Sequence, residues 1–331
     1  MLSPARTSVD GFGSTVSAYL PLALRKALAV ENAAVQKAQP VLAAIGGIAI
    51  TYVAVKAIYN IGKGVTTYFL AGPLHLGADL KKSGEWAVIT GSSDGIGKEF
   101  AFQLAAKGLN VVLVSRTIDK LEGVAREISA RYNVQTKIIA IDLSKMGPHN
   151  VPQLQEELKD LDIALLVNSA GTFAGPGKFL STPASHEDAA NIVNLNCRAL
   201  IMMSRAVLPL MLNRKTGYSK YVINVGAVFG GVVPAGGFAI YGATKAFVDS
   251  FSRSLHKEYK DSGIFVQSFL PGPTITKMLS EKYQKDAVPT TDVVAAALNQ
   301  LGFRSRTFGH WKHALLGTYM STQSVVEIKE H

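Results

Sequence analysis

The chain has 331 residues, 48% hydrophobic and only 18% charged, with a net charge of +10 and a pI near 9.5. This composition excludes extended disorder and leaves room for one large α/β domain plus an appendage. The positive charge suits phosphate-bearing ligands or an anionic membrane surface, whereas no Lys/Arg block with interleaved aromatics supports nucleic acid as a partner. A single cysteine, Cys197, excludes an internal disulfide and a cysteine-based metal cluster. No metal site is expected, and the bulk of the chain is expected in a reducing compartment.

Residues 1–40 are rich in Ala, Ser and Val, with few acids (Asp10, Glu31) and scattered bases (Arg6, Arg25, Lys26, Lys37). This N-terminal extension reads as an organelle-targeting peptide, an amphipathic surface helix or a plain terminus. Val41 to Val55 is then nearly unbroken apolar sequence. As a helix it rises about 22 Å, short of the roughly 30 Å hydrocarbon core. With Lys56 snorkelling, Gln39–Tyr59 approaches a spanning length. A buried hairpin helix and a cleaved signal core are the competing readings. A second apolar patch, Val65 to Gly72, comes next, and residues 41–75 are assigned as a membrane-anchor segment. Lys63, Lys81 and Lys82 place the following domain on the cytosolic side, against the opposing pull of Lys26 and Lys37.

From Glu85 the pattern alternates. Strands are expected at Trp86–Thr90, Asn110–Val114, Lys137–Ile141, Ile163–Val167, Tyr221–Val225 and Ile264–Leu270. Helices are expected at Ile96–Lys107, Ile118–Tyr132, Pro152–Leu161, Glu187–Leu212 and Ile240–Tyr259. Apolar strands alternating with amphipathic helices give a doubly wound parallel sheet, Rossmann-like, over residues 84–303. Residues 304–331 are left as a C-terminal tail.

The first strand runs into Thr90-Gly91-Ser92-Ser93-Asp94-Gly95-Ile96-Gly97. Three glycines at a strand-to-helix turn let backbone approach a pyrophosphate, while the helix N-terminus supplies N–H donors. The second strand ends Val114-Ser115-Arg116, without the acid that would hold an unphosphorylated ribose. Arg116 instead suits a 2′-phosphate, favouring NADP(H) over NAD(H), the alternative being an ordinary solvated arginine. Asp142, at the end of the third strand, either contacts adenine or caps the next segment. Asn168-Ser169-Ala170-Gly171 closes the fourth strand with residues small enough for cofactor to pass. Asn196, in the long helix, needs partners if buried. Pro271, Thr274 and Thr276 lie in a turn suited to the nicotinamide amide or in a plain loop. Tyr241 and Lys245 share one helix face, where a cation stabilises phenolate and lets tyrosine move protons near neutral pH.

These motifs, in this order, resemble the short-chain dehydrogenase/reductase family from Glu85 to about Phe303. The chain looks most like its membrane-bound very-long-chain 3-oxoacyl-CoA reductases, which share ancestry with 17-beta-hydroxysteroid dehydrogenases. Gly84-Glu85-Trp86, Asp94-Gly-Ile-Gly-Lys-Glu-Phe, Lys107-Gly-Leu-Asn, Ala206-Val-Leu-Pro-Leu-Met-Leu, Leu255-His-Lys-Glu-Tyr and Trp311-Lys-His-Ala-Leu-Leu-Gly carry that likeness. The resemblance implies an endoplasmic reticulum membrane enzyme of fatty acid elongation that uses NADPH to reduce a long-chain 3-oxoacyl-CoA. It implies a homodimer or elongation-complex partners; on this reading a long apolar substrate is expected between the sheet's C-terminal edge and the loop Lys277–Pro289. Tyr241 would protonate the carbonyl oxygen, Lys245 would bind the nicotinamide ribose, Asn196 would hold a relay water, and Thr276 would sit near the nicotinamide.

One family residue has no counterpart. The family places a serine after the fifth strand, where it hydrogen-bonds the substrate carbonyl. Counting from Asn224 puts it at Ala227, and counting back from Tyr241 puts it at Val228; no Ser or Thr occurs from Val222 to Ile240. Losing one donor to an oxyanion costs on the order of 10²–10³ in rate. Thr172 is a candidate replacement donor. The alternatives are a reductase of steroids or other lipid carbonyls, and a scaffold that has lost turnover.

Overall fold

Seven strands form one wholly parallel sheet, and continuous apolar runs explain why: both faces of the central strands are covered. In chain order the elements are β1 (Trp86–Thr90), α2 (Gly95–Ala106), β2 (Asn110–Ser115), α3 (Ile118–Arg131), β3 (Thr136–Ala140), α4 (Asn150–Leu158) and β4 (Ile163–Asn168). They continue with α5 (His186–Val193), α6 (Ala199–Asn213), β5 (Lys220–Val225), α7 (Ala239–Tyr259), β6 (Ile264–Phe269), α8 (Thr290–Gln300), β7 (Arg306–Thr307) and α9 (Trp311–Glu327). A long helix, α1 (Leu22–Val65), precedes them. This computed structural model describes residues 22–181, 185–214, 217–234 and 236–327.

Strand order is β3-β2-β1-β4-β5-β6-β7. The order reverses between β1 and β4, so a crevice opens at their C-terminal ends, where such folds bind ligands. Every residue of β1, β4 and β5 is buried. One face packs on α2, α3 and α8 with Phe100 edge-on to Phe269 at 6.2 Å, and the other packs on α4, α6 and α7.

Three departures from the sequence expectation stand out. The long helix expected at Glu187–Leu212 is α5 and α6 joined by a π-helical turn, Asn194–Arg198. The fourth helix starts and stops two to three residues early, at Asn150–Leu158 rather than Pro152–Leu161. The stretch read as a tail contains β7, which extends the sheet, and α9.

The chain divides into two units, Met1–Gly64 and Val65–His331. In the first, Ile45, Ile48, Ile50, Val53 and Ile58 of α1 are all exposed. The helical run Val35–Leu70 is long and apolar enough to cross a membrane; His186–Asn213 passes the same test but is half buried in the core. The targeting reading covers residues 1–40; of these, residues 1–21 lie outside the described residues and 22–40 belong to α1, while Ile328–His331 also lies outside the described residues.

Candidate active site

At the crevice, close backbone approach selects glycine. Gly91 (φ 66°) lies so near β4's exit that an added Cβ would come within 2.9 Å of Ala170 Cα, and a side chain at Gly97 would collide with the Gly91 carbonyl. Asp94 Oδ1 accepts from Gly95 N–H at 2.8 Å at the start of α2, and its other oxygen pairs with Lys277 at 2.9 Å. Burial works against this carboxylate, but Lys277 and the Gly95 N–H hold it below the usual range. Ser93 and Ser115 share a hydrogen bond at 3.0 Å. Ser92 Oγ is buried with no partner among the described residues, and Ile96 packs on the core. Arg116, just past β2, is exposed. Asp142 accepts from the Ser144 hydroxyl and N–H, which lower its carboxyl below the ordinary value, with Arg116 and Lys145 adding to the effect.

The β4 exit is tied to both neighbours. Thr90 Oγ1 accepts from Ser169 N–H at 3.0 Å and Ala170 N–H at 3.1 Å. Asn168 donates to Asn224 at 2.9 Å, Asn224 donates to Ser252 at 3.0 Å, and Ser252 donates to the Val248 carbonyl at 2.6 Å. This buried ladder fixes the nucleotide-side loop against β5 and α7.

On α7, Lys245 is buried and donates to the Val225 carbonyl at 3.0 Å, with its Nζ 5.6 Å from the Tyr241 ring centre. Burial lowers the lysine to about 8, the nearby Cys197 thiol opposing slightly, and burial raises the Tyr241 phenol to about 12. At neutral pH the pair is therefore a protonated phenol beside an ammonium. Phe173 meets the Tyr241 ring edge-on at 5.1 Å and stacks on Phe238, which stacks on Phe229. An apolar wall thus borders the phenol.

Asn196 lies on the π turn, which rotates it out of the helix register of α5. Its Oδ1 accepts from Thr172 N–H at 2.8 Å, and its amide donates to the Thr172 carbonyl and Thr244 Oγ1, both at 3.0 Å. Both amide protons are committed, leaving an acceptor position on Oδ1. Gly171 fits between them: a Cβ there would lie 3.2 Å from Asn196 Oδ1 and 3.5 Å from Lys245 Nζ.

After β5, Ala227 is 6% exposed and Val228 fully buried, and Val228 N–H donates to the Pro271 carbonyl at 3.0 Å. Gly230 (φ 86°) packs against the Gly242 carbonyl of α7. Thr274 donates to the Gly272 carbonyl at 3.0 Å, and the Thr276 methyl faces Gly95. A cavity of about 570 Å³ opens beside Asp94, Gly95, Thr276 and Lys277, away from Tyr241 and Lys245.

The structure therefore brings Tyr241, Lys245, Asn196, Gly171 and Thr172 together, and sets Gly91–Gly97, Asn168 and Ala170 around the β1/β4 crevice. Thr276 reaches the crevice from the β6 turn, while Arg116 and Asp142 stand at the β2 and β3 ends. Sequence reasoning missed Thr90, Asn224, Ser252 and the aromatic wall; their polar or aromatic character is visible in sequence, their convergence is not.

Against known proteins, residues 85–287 match the family model for short chain dehydrogenase. Very-long-chain 3-oxoacyl-CoA reductases of Mus musculus and Homo sapiens are each 36% identical over 279 residues, covering 84% of this chain and 86% of theirs. Among solved structures, a short-chain dehydrogenase from Sphingobium yanoikuyae in complex with NADPH is 29% identical with a TM-score of 0.61, covering 72% of this chain and 95% of that one. A 7beta-hydroxysteroid dehydrogenase is 26% identical with a TM-score of 0.62, covering 72% and 92%. With glycine turn, Tyr/Lys helix and sheet order all in place, the chain belongs to the short chain dehydrogenase family.

Proposed function

We propose that the protein reduces the 3-oxo group of a long-chain 3-oxoacyl-CoA to the 3-hydroxyacyl-CoA with NADPH, as a fatty acid elongation enzyme of the endoplasmic reticulum membrane with its catalytic unit facing the cytosol. The observation that carries this is the Tyr241/Lys245 pair on α7 beside the glycine turn, in a chain 36% identical over 84% of its length to reductases of that name. The nucleotide fits the residues present. The orphaned Ser92 hydroxyl and the bare backbone at Gly91 and Gly97 suit a pyrophosphate, and the exposed Arg116 suits a 2′-phosphate.

Bound NADPH supplies the hydride that reaches the 3-carbon. Tyr241 gives its hydroxyl proton to the carbonyl oxygen as that oxygen gains charge, and the Lys245 ammonium offsets the charge left on the phenol oxygen. The wall of Phe173, Phe238 and Phe229 keeps water from the phenol and accepts apolar substrate.

The test is NADPH oxidation by the purified full chain with long-chain 3-oxoacyl-CoA. Normal NADPH binding without turnover would refute the reductase reading. The missing hydroxyl at Ala227 and Val228 favours a second reading, a scaffold that binds NADPH only, and the same experiment separates them. Turnover of steroid ketones alone would instead support the steroid alternative.

A further inference from the structure

We infer that the outer face of α9 is a second membrane contact of the catalytic unit, with Trp311, Leu315 and Tyr319 seated in the headgroup–acyl boundary of a bilayer. This rests on the reading that the apolar run Val35–Leu70 inserts into the membrane. Trp311, Leu315 and Tyr319 recur every fourth residue and so line one helix face; they are 38%, 61% and 63% exposed. The opposite face is the packed one: His313 is 2% exposed, its Nε2 lies 3.0 Å from the Pro273 carbonyl, and Gly317 abuts Phe308. The apolar face therefore points outward, with Leu315 and Tyr319 largely exposed and Trp311 flanked by Phe69 and His310.

The depth of this face is set by the end of the apolar run. Phe69, 56% exposed, lies 6.4 Å from the Trp311 ring, and buried Thr67 accepts from Arg304 Nε at 2.8 Å. Leu70 and Leu74, just past Phe69 in the chain, are also exposed, at 40% and 59%. Where Phe69 enters the bilayer boundary, Trp311 enters with it. Lys312 Nζ lies 5.9 Å from the Trp311 ring, placing a cation where lipid phosphates lie. A tryptophan beside a lysine at the end of an apolar segment is the pairing that membrane interfaces favour, and continuity with that segment selects lipid over a second copy of the chain. The consequence reaches the active site: through His313, α9 supports the Gly272–Pro273 turn leading to Thr274 and Thr276.

The chain's only two tryptophans make this testable, because Trp86 is 9% exposed and Trp311 is on the proposed face. Full-length Trp86→Phe protein is reconstituted in phosphatidylcholine vesicles whose acyl chains carry bromine near the headgroup or near the bilayer centre. Trp311 fluorescence is expected to fall by about half with shallow bromine and little with deep bromine. In a Trp86→Phe/Trp311→Phe background, Tyr319→Trp reports the far end of the row and Ile48→Trp reports the anchor. Tyr319→Trp should behave as Trp311 does, and Ile48→Trp should be quenched by deep bromine. Quenching at Ile48→Trp with none at Trp311 or at Tyr319→Trp overturns the α9 contact and leaves the anchor standing. No quenching at any position overturns the membrane reading and this inference with it.

Discussion

Replacing Lys245 by Met tests the proposed chemistry most directly. Lys245 Nζ lies 5.6 Å from the Tyr241 ring centre, in a buried site where its charge is not dispersed by water. Taking the ring centre as the centre of the phenolate charge, at an effective dielectric of about 20, ammonium and phenolate attract by about 3 kcal/mol. Only part of the phenolate charge has developed in the transition state, so Lys245→Met should slow reduction about 10- to 100-fold. The pH profile adds a second readout. Lys245 is held down to about 8 by burial, so its charge is present below that pH and lost above it. The wild-type reduction rate should therefore fall as pH rises through 8, while the phenol, at about 12, stays protonated throughout. In Lys245→Met that limb should vanish and leave a low, flat rate. The assay is NADPH oxidation across neutral to alkaline pH at saturating 3-oxoacyl-CoA, with NADPH affinity measured separately by fluorescence. A variant within about threefold of wild type that keeps the alkaline limb would refute the electrostatic role.

Three further substitutions concern the site. Arg116→Ala should weaken NADPH about 10- to 100-fold, the worth of a charge-assisted hydrogen bond, while leaving NADH binding unchanged; equal losses for both nucleotides by titration calorimetry would remove the 2′-phosphate assignment. Ala227→Ser should raise kcat by about tenfold or more, toward the roughly 10²–10³ that one oriented donor contributes. Val228→Ser should give no such gain and should lower Tm, because that side chain is fully buried and its hydroxyl would lack a carbonyl to serve. Gain from Val228→Ser alone would place the substrate carbonyl opposite Val228 instead of Ala227.

The sheet and its ligand-facing edge were legible in sequence because they rest on local, periodic signals. The buried run Trp86–Thr90, the glycines at 91, 95 and 97, and the spacing of Tyr241 and Lys245 each carry their meaning within a few residues. Periodicity could not mark the π turn that faces Asn196 toward Thr172, since the five residues Asn194–Arg198 are too few to show a period of their own. Nor could it mark β7, whose two residues are too few to alternate. The ladder from Asn168 through Asn224 to Ser252 joins three elements distant in sequence, and only the tertiary structure decides that these amides and hydroxyls satisfy one another. The same holds for Lys245. Its place in the sequence made it a candidate, but burial in the folded core is what brings its pKa down to about 8. Sequence determined which groups are available; packing decided which are desolvated, which are paired and which are left for a ligand.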